Sequence, residues 1–127
     1  MKRYTTAVAH KRTSFLASVT HAVRGIEAAS SGRNFKIQVL IGAVAIVASL
    51  LFRLSQIERA VIVLCVGLVL TAEVLNTALE RLLDFVSKER RPEIREIKDL
   101  MAAAVLLLSF VALVAGLWIF AGASFFS

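Results

Sequence analysis

Glu73, Asn76, Thr77, Glu80 and Asp84 recur every three or four residues in a stretch otherwise supplied by Val74, Leu75, Ala78, Leu79 and Leu82. At about 100° per residue this spacing lays the polar set along one stripe of a helix and the apolar set opposite it. Carboxylates at membrane depth are costly and mark function, so Glu73 and Glu80 are the first candidates for chemistry. After them comes a segment of mixed charge, 87–99, containing five basic residues, Lys88, Arg90, Arg91, Arg95 and Lys98. A carboxylate stripe beside such a segment suits a metal-complexed polyphosphate.

The elements that must position these groups follow from composition. A chain of 127 residues that is 58% hydrophobic, with one proline and a mean hydropathy of +0.79, is not an ordinary soluble domain. It reads as a small all-α membrane protein forming one domain over 1–127. Apolar segments at about 34–52, 60–86 and 100–121 approach the roughly 17–25 residues that a spanning helix needs. No alternating pattern is long enough for a barrel. The second segment carries the polar stripe, and the third is uninterrupted. The first residues lead into a polar amphipathic segment, not an apolar h-region, so the amino terminus is expected to be retained.

Residues 1–36 hold Lys2, Arg3, Lys11, Arg12, Arg24, Arg33 and Lys36 against Glu27 alone, which accounts for the whole formal charge of +6. Within them Phe15, Val19, Ala22, Val23 and Ile26 alternate with polar residues at helical spacing. An amphipathic surface helix is expected over about 7–30, lying on anionic head groups. Attached spans argue against a nucleic-acid arm. The excess of Lys and Arg places the amino terminus and the 87–99 segment in the cytoplasm, because the short segment 54–58 is flanked only by Arg53 and Arg59. Glu80 and Asp84 then lie near the cytoplasmic end of the second span, with Glu73 roughly 10 Å deeper at 1.5 Å per residue.

Other features read as structural. Cys65 is a lone thiol in a span. Gly67, Ala72, Ala78 and Ala102 to Ala104 are small residues suited to helix packing. His10 and His21 have no companion at metal spacing. Trp118, Phe120, Phe125 and Phe126 suit an aromatic belt at the outer interface. No Walker loop, dinucleotide fingerprint or paired-cysteine motif is present. The residues alone leave a membrane enzyme and a carrier equally open.

The combination Glu73-xx-Asn-Thr-Ala-x-Glu80-xxx-Asp84, followed by Lys98-Asp99-xx-Ala-Ala-Ala-Val, resembles the small bacterial diacylglycerol kinase and undecaprenol kinase family. Phe15, Ser18, Ala22-xx-Gly25-Ile26 and Arg33-Asn-Phe-Lys-Ile37 are similar to the same family, so the likeness runs from about 13 to 120. It implies a surface helix and three transmembrane helices per subunit, assembled as a homotrimer in the bacterial inner membrane. It also implies transfer of the γ-phosphate of ATP, with Mg²⁺, to the hydroxyl of a membrane lipid alcohol. On this resemblance Glu73 is the general base, Glu80 a metal and nucleotide ligand, and Asn76 the residue that orients them. Glu89, Arg91, Lys98 and Asp99 fall at nucleotide-contacting positions. Phosphoryl transfer needs alignment and charge neutralisation more than covalent help, which fits this set.

The chain departs from the family pattern at four positions. Gly32 stands where a glutamate usually provides a second metal ligand, with Glu27 as one replacement. Gln38 stands where a histidine is frequent, and Thr13 and Thr20 replace an arginine and a tyrosine of one branch. Asn-Phe-Lys-Ile and Leu-Asn-Thr-Ala-Leu-Glu resemble the undecaprenol branch somewhat more than the diacylglycerol branch. The expected function is an ATP-dependent lipid kinase. The rivals are a small oligomeric proton-coupled transporter, which has no need of Lys98 and Asp99, and a scaffold, which has no need of the polar stripe.

Overall fold

The computed structural model describes residues 14–87 and 91–125. Four helices follow one another: α1 (Phe15–Ala29), α2 (Arg33–Leu51), α3 (Gln56–Val86) and α4 (Pro92–Phe125). Residues 7–13 of the expected surface helix, along with His10, Glu89 and Phe126, lie outside the described residues.

Each boundary has a local cause. Ser14 caps α1 by accepting the Ala17 N–H at 3.4 Å. The Ser30 N–H closes the other end on the Ile26 carbonyl at 2.9 Å, and Ser31 and Gly32 form the elbow to α2. At the start of α3, Ser55 and Glu58 make a capping box. The Ser55 N–H donates to Glu58 Oε2 at 2.8 Å, and the Glu58 N–H donates to Ser55 Oγ at 3.3 Å. This reciprocal pair satisfies two donors that a bare helix end leaves open, so α3 begins before its apolar run does. Between α2 and α3 the chain reverses through Arg53 at φ 51°, a left-handed conformation unfavourable to an L side chain.

α4 also starts before its apolar run. Residues 92–99, read from sequence as part of a loop, form its first two turns. Pro92 is suited to the first helical position, where its missing N–H forfeits no bond. Glu, Arg and Lys are good helix formers, so charge alone does not end the helix. The connection after α3 is correspondingly short.

α3 is the central element, packing against α4, α2 and α1. α2, α3 and α4 are long and apolar enough to cross a membrane. At 1.5 Å per residue the 31 residues of α3 span about 46 Å, which exceeds a hydrocarbon core of roughly 30 Å. Its polar last turns can therefore reach past the lipid tails. Few side chains are buried; Phe35, Leu54, Ile62 and Val105 are among them, while Leu40, Leu106, Leu107 and Trp118 face outward. Such a surface suits lipid or another helix as its surroundings.

α2 packs closely on α3 at Gly42, where an added Cβ would lie 2.6 Å from Val66 Cγ1. The absence of a side chain there lets the backbones approach, as small residues do between membrane helices. Gly67, singled out from sequence for packing, has nothing within 4 Å of an added Cβ in this subunit. At the far end of the spans Phe52 and Phe120 meet edge to face, with ring centroids 5.6 Å apart.

Candidate active site

The polar stripe of α3 grades from buried to exposed. Glu73 and Asn76 are 5% and 8% exposed, whereas Glu80 and Asp84 are open at the surface. Glu73 is buried where α2 packs on α3, with Gln38 of α2 near its carboxylate. Thr77 bonds inward on its own helix, its Oγ1 donating to the Glu73 carbonyl at 3.0 Å. Asn76 Nδ2 donates to Glu80 Oε1 at 3.1 Å, one turn along. Glu73, Asn76 and Glu80 thus share one face of α3, with Asn76 and Glu80 joined by a hydrogen bond.

Two buried oxygens near this face, Gln38 Oε1 and Asn76 Oδ1, accept no hydrogen bond from the described residues. A buried acceptor left open costs about 1–3 kcal/mol, so each such group calls for an explanation. A ligand bearing a donor or a cation supplies one.

The exposed end of the stripe is tied to two other helices. Lys98 Nζ of α4 donates to Asp84 Oδ1 at 2.6 Å, with side-chain exposures of 36% and 68%. Arg81 Nη2 donates to the Ala28 carbonyl at 2.6 Å and lies 3.4 Å from Ser31 Oγ, fixing the α1–α2 elbow against the turn that carries Glu80. Asp99 and Arg91 are exposed at the start of α4. Glu89 lies outside the described residues. Sequence reasoning gave no role to Gln38 or Arg81. An amide in the second turn of an apolar helix was the available signal for Gln38; the role of Arg81 depends on a contact 53 residues away, which local spacing does not reveal.

On the other side of Gln38 a cavity of about 380 Å³ opens between α2, α3 and α4. Its wall includes Gly42, Ile62, Val66, Ala112 and Phe120, and is almost entirely apolar. It runs outward from Gln38, beside Glu73, toward the Phe52–Phe120 pair. The apolar cleft therefore reaches Gln38, which lies near the buried Glu73, and Glu73 belongs to a stripe that emerges among exposed charges.

A helical membrane protein with this stripe is built to bring an amphiphile and a water-soluble, charged reagent to one place. The chain belongs to the prokaryotic diacylglycerol kinase family, which its residues 20–120 match. It is similar to the undecaprenol kinase of Bacillus subtilis, 35% identical over 107 residues that cover 84% of this chain and 87% of the relative. It is also similar to the diacylglycerol kinase of Pseudomonas aeruginosa, 38% identical over 113 residues covering 89% and 80%. The diacylglycerol kinase of Synechocystis is 38% identical over 103 residues, covering 80% of this chain and 59% of the relative. The chain is a lipid kinase of the membrane, and these likenesses do not favour the transporter reading.

Proposed function

We propose that the chain transfers the γ-phosphate of ATP to the hydroxyl of a membrane lipid alcohol, undecaprenol or diacylglycerol, at the cytoplasmic face of a bacterial inner membrane. The observation that carries this reading is the placing of the buried Glu73 and the exposed Glu80 on one stripe of α3, with an apolar cleft that reaches Gln38 near Glu73. The lipid meets one end of the stripe and the nucleotide the other.

Glu73 is the general base: it takes the proton of the hydroxyl as the alcohol oxygen bonds to the γ-phosphorus, and the bond from that phosphorus to the β–γ bridging oxygen breaks to release ADP. Asn76 holds Glu80, and Lys98, Arg91, Asp99 and Glu89 lie with the nucleotide. Lys98 reaches it by exchanging Asp84 for a phosphate, an inexpensive exchange because an exposed ion pair is worth about 0–1 kcal/mol.

The fit to magnesium rests on the donor set. No group of three or more acidic, histidine or cysteine side chains is gathered among the described residues, but Mg²⁺ is commonly held by one or two carboxylates with water and phosphate oxygens. Glu80 and the unpartnered Asn76 Oδ1 are hard oxygen donors of that kind. Bound there, the ion would neutralise charge on the phosphates.

The amino terminus and the segment after α3 are cytoplasmic in this reading, and α1 lies on the membrane surface as an amphipathic helix. Three copies assemble as a homotrimer, a reading supported by the family resemblance and by the outward-facing apolar side chains of α2 and α4. Incubating purified protein in lipid with γ-labelled ATP and either alcohol tests the proposal. Label in a phosphorylated lipid is the expected result, and label released only as inorganic phosphate would overturn it. Faster turnover of undecaprenol would assign the chain to that branch.

A further inference from the structure

The two ends of the helical bundle differ in charge. Around Glu80 acids and bases are mixed, whereas residues 38–72 carry only Arg53, Glu58 and Arg59, and residues 100–127 carry no charged side chain. Those three charges stand at the opposite end, where Phe52 meets Phe120. Glu58 is committed to the start of its own helix, its Oε2 accepting the Ser55 N–H at 2.8 Å. Arg53 is exposed in the turn between α2 and α3. Arg59 is placed differently. It shares a face of α3 with Ile62 and Val66, three and seven residues further on, and both of these line the cleft between α2, α3 and α4. Its Nε is accordingly buried, and it donates to nothing among the described residues.

A buried donor left open costs about 1–3 kcal/mol, and a cation drawn out of water needs a counter-charge as well. At this end no acidic side chain is left to supply one. A second copy of the chain brings the same inventory, so self-assembly adds no acid except another Glu58. Water satisfies an N–H but carries no charge. The anion must come from outside the chain, and at the boundary of a hydrocarbon core it is the phosphate of a phospholipid. Guanidinium and phosphate match in charge and in forked geometry, and an arginine at that depth keeps its stem in the apolar region with its head among the head groups. We propose that Arg59 binds the phosphate of an anionic phospholipid in the leaflet opposite the Glu80 end, with Nε and one Nη donating to two of its oxygens. Arg53 adds attraction from the neighbouring turn. A zwitterionic head group binds less well, because it brings a cation of its own toward two arginines. The phospholipid is a bound partner and not an acceptor, so no bond forms or breaks. This site rests on the three helices crossing a membrane and is independent of the lipid-kinase reading.

The test titrates the full chain, purified in neutral detergent, with dioleoyl phosphatidylglycerol, dioleoyl phosphatidylcholine or sodium phosphate, following the thermal midpoint and the lipid adducts retained in native mass spectrometry. Phosphatidylglycerol is expected to raise the wild-type midpoint and to be retained, with little effect from the other two. Arg59→Gln is expected to weaken phosphatidylglycerol binding about tenfold, the scale of a hydrogen bond between charged groups. Arg59→Lys keeps the charge and loses the Nε–H, and its affinity is expected to lie between the two. Arg95→Gln removes the same charge from the exposed start of α4 and is expected to stay within about twofold of wild type. A wild type that does not distinguish the two phospholipids, or Arg59→Gln binding phosphatidylglycerol as wild type does, would overturn the site. An equal loss in Arg95→Gln would overturn it too, because net charge alone would then be acting. Equal stabilisation by sodium phosphate would give Arg59 to a soluble anion, and a changed oligomeric state in Arg59→Gln would give it to a neighbouring copy; either result overturns the lipid partner. Should Arg59→Gln fail to fold, Arg59→Lys decides: affinity equal to wild type overturns the role of Nε.

Discussion

Asn76 donates to Glu80 Oε1 at 3.1 Å while its own Oδ1 is buried and unpartnered, so one amide both orients a carboxylate and offers a second oxygen beside it. If the pair holds magnesium, Asn76→Leu and Glu80→Gln should each raise the magnesium concentration needed for half-maximal phosphorylation. Residues acting on one ligand are not additive. The double variant is therefore expected to require little more magnesium than the worse single variant. Titrations in matched lipid test this, and unchanged magnesium dependence in both single variants would remove the pair from metal binding.

Glu73→Gln keeps the shape of the side chain but cannot take the hydroxyl proton. Turnover should fall by about 10²–10⁴-fold, the usual scale for loss of a general base, with nucleotide binding retained. Near-normal turnover at saturating lipid would show that the proton leaves by another route.

The spacing of Glu73, Asn76 and Glu80 made their shared face legible in sequence because all three stand on one helix, where position along the chain fixes position in space. The three apolar helices were legible for a similar reason, since hydropathy is a local property. What α2 contributes was not. The approach of Gln38 to Glu73 depends on the crossing of two helices, which the single hydrogen at Gly42 permits. The extension of α4 back to Pro92 was hidden by charge, which marks contact with water and not the end of a helix.

Gly42→Ala places a methyl where 2.6 Å separates the new Cβ from Val66 Cγ1. Val66 is β-branched and has little rotamer freedom, so the helices must shift. Overpacking of this kind costs about 1–3 kcal/mol, and thermal unfolding in detergent should show a lower midpoint. Adding Val66→Ala removes the obstructing methyl and should recover most of the loss. A Gly42→Ala midpoint equal to wild type would mean that the α2–α3 crossing has room for a methyl group. The same change should raise lipid KM, because Gly42 also lines the cleft.

Gly32 stands where the family resemblance implies an acidic side chain, and its surroundings allow such a side chain to be introduced. Its backbone, at φ −74° and ψ 136°, is open to any residue. An added Cβ would meet only the Ala29 carbonyl, at 3.4 Å. The elbow that carries it is held against the Glu80 turn by Arg81. Gly32→Glu therefore adds a carboxylate close to the proposed metal ligand without forcing the fold, and the magnesium concentration for half-maximal phosphorylation should fall. Glu27 is exposed on α1 and is the residue that would otherwise compensate, so Glu27→Gln is measured beside it. If Gly32→Glu leaves the magnesium curve in place while Glu27→Gln moves it upward, Glu27 already fills the role. If neither variant moves the curve, the elbow takes no part in holding the metal.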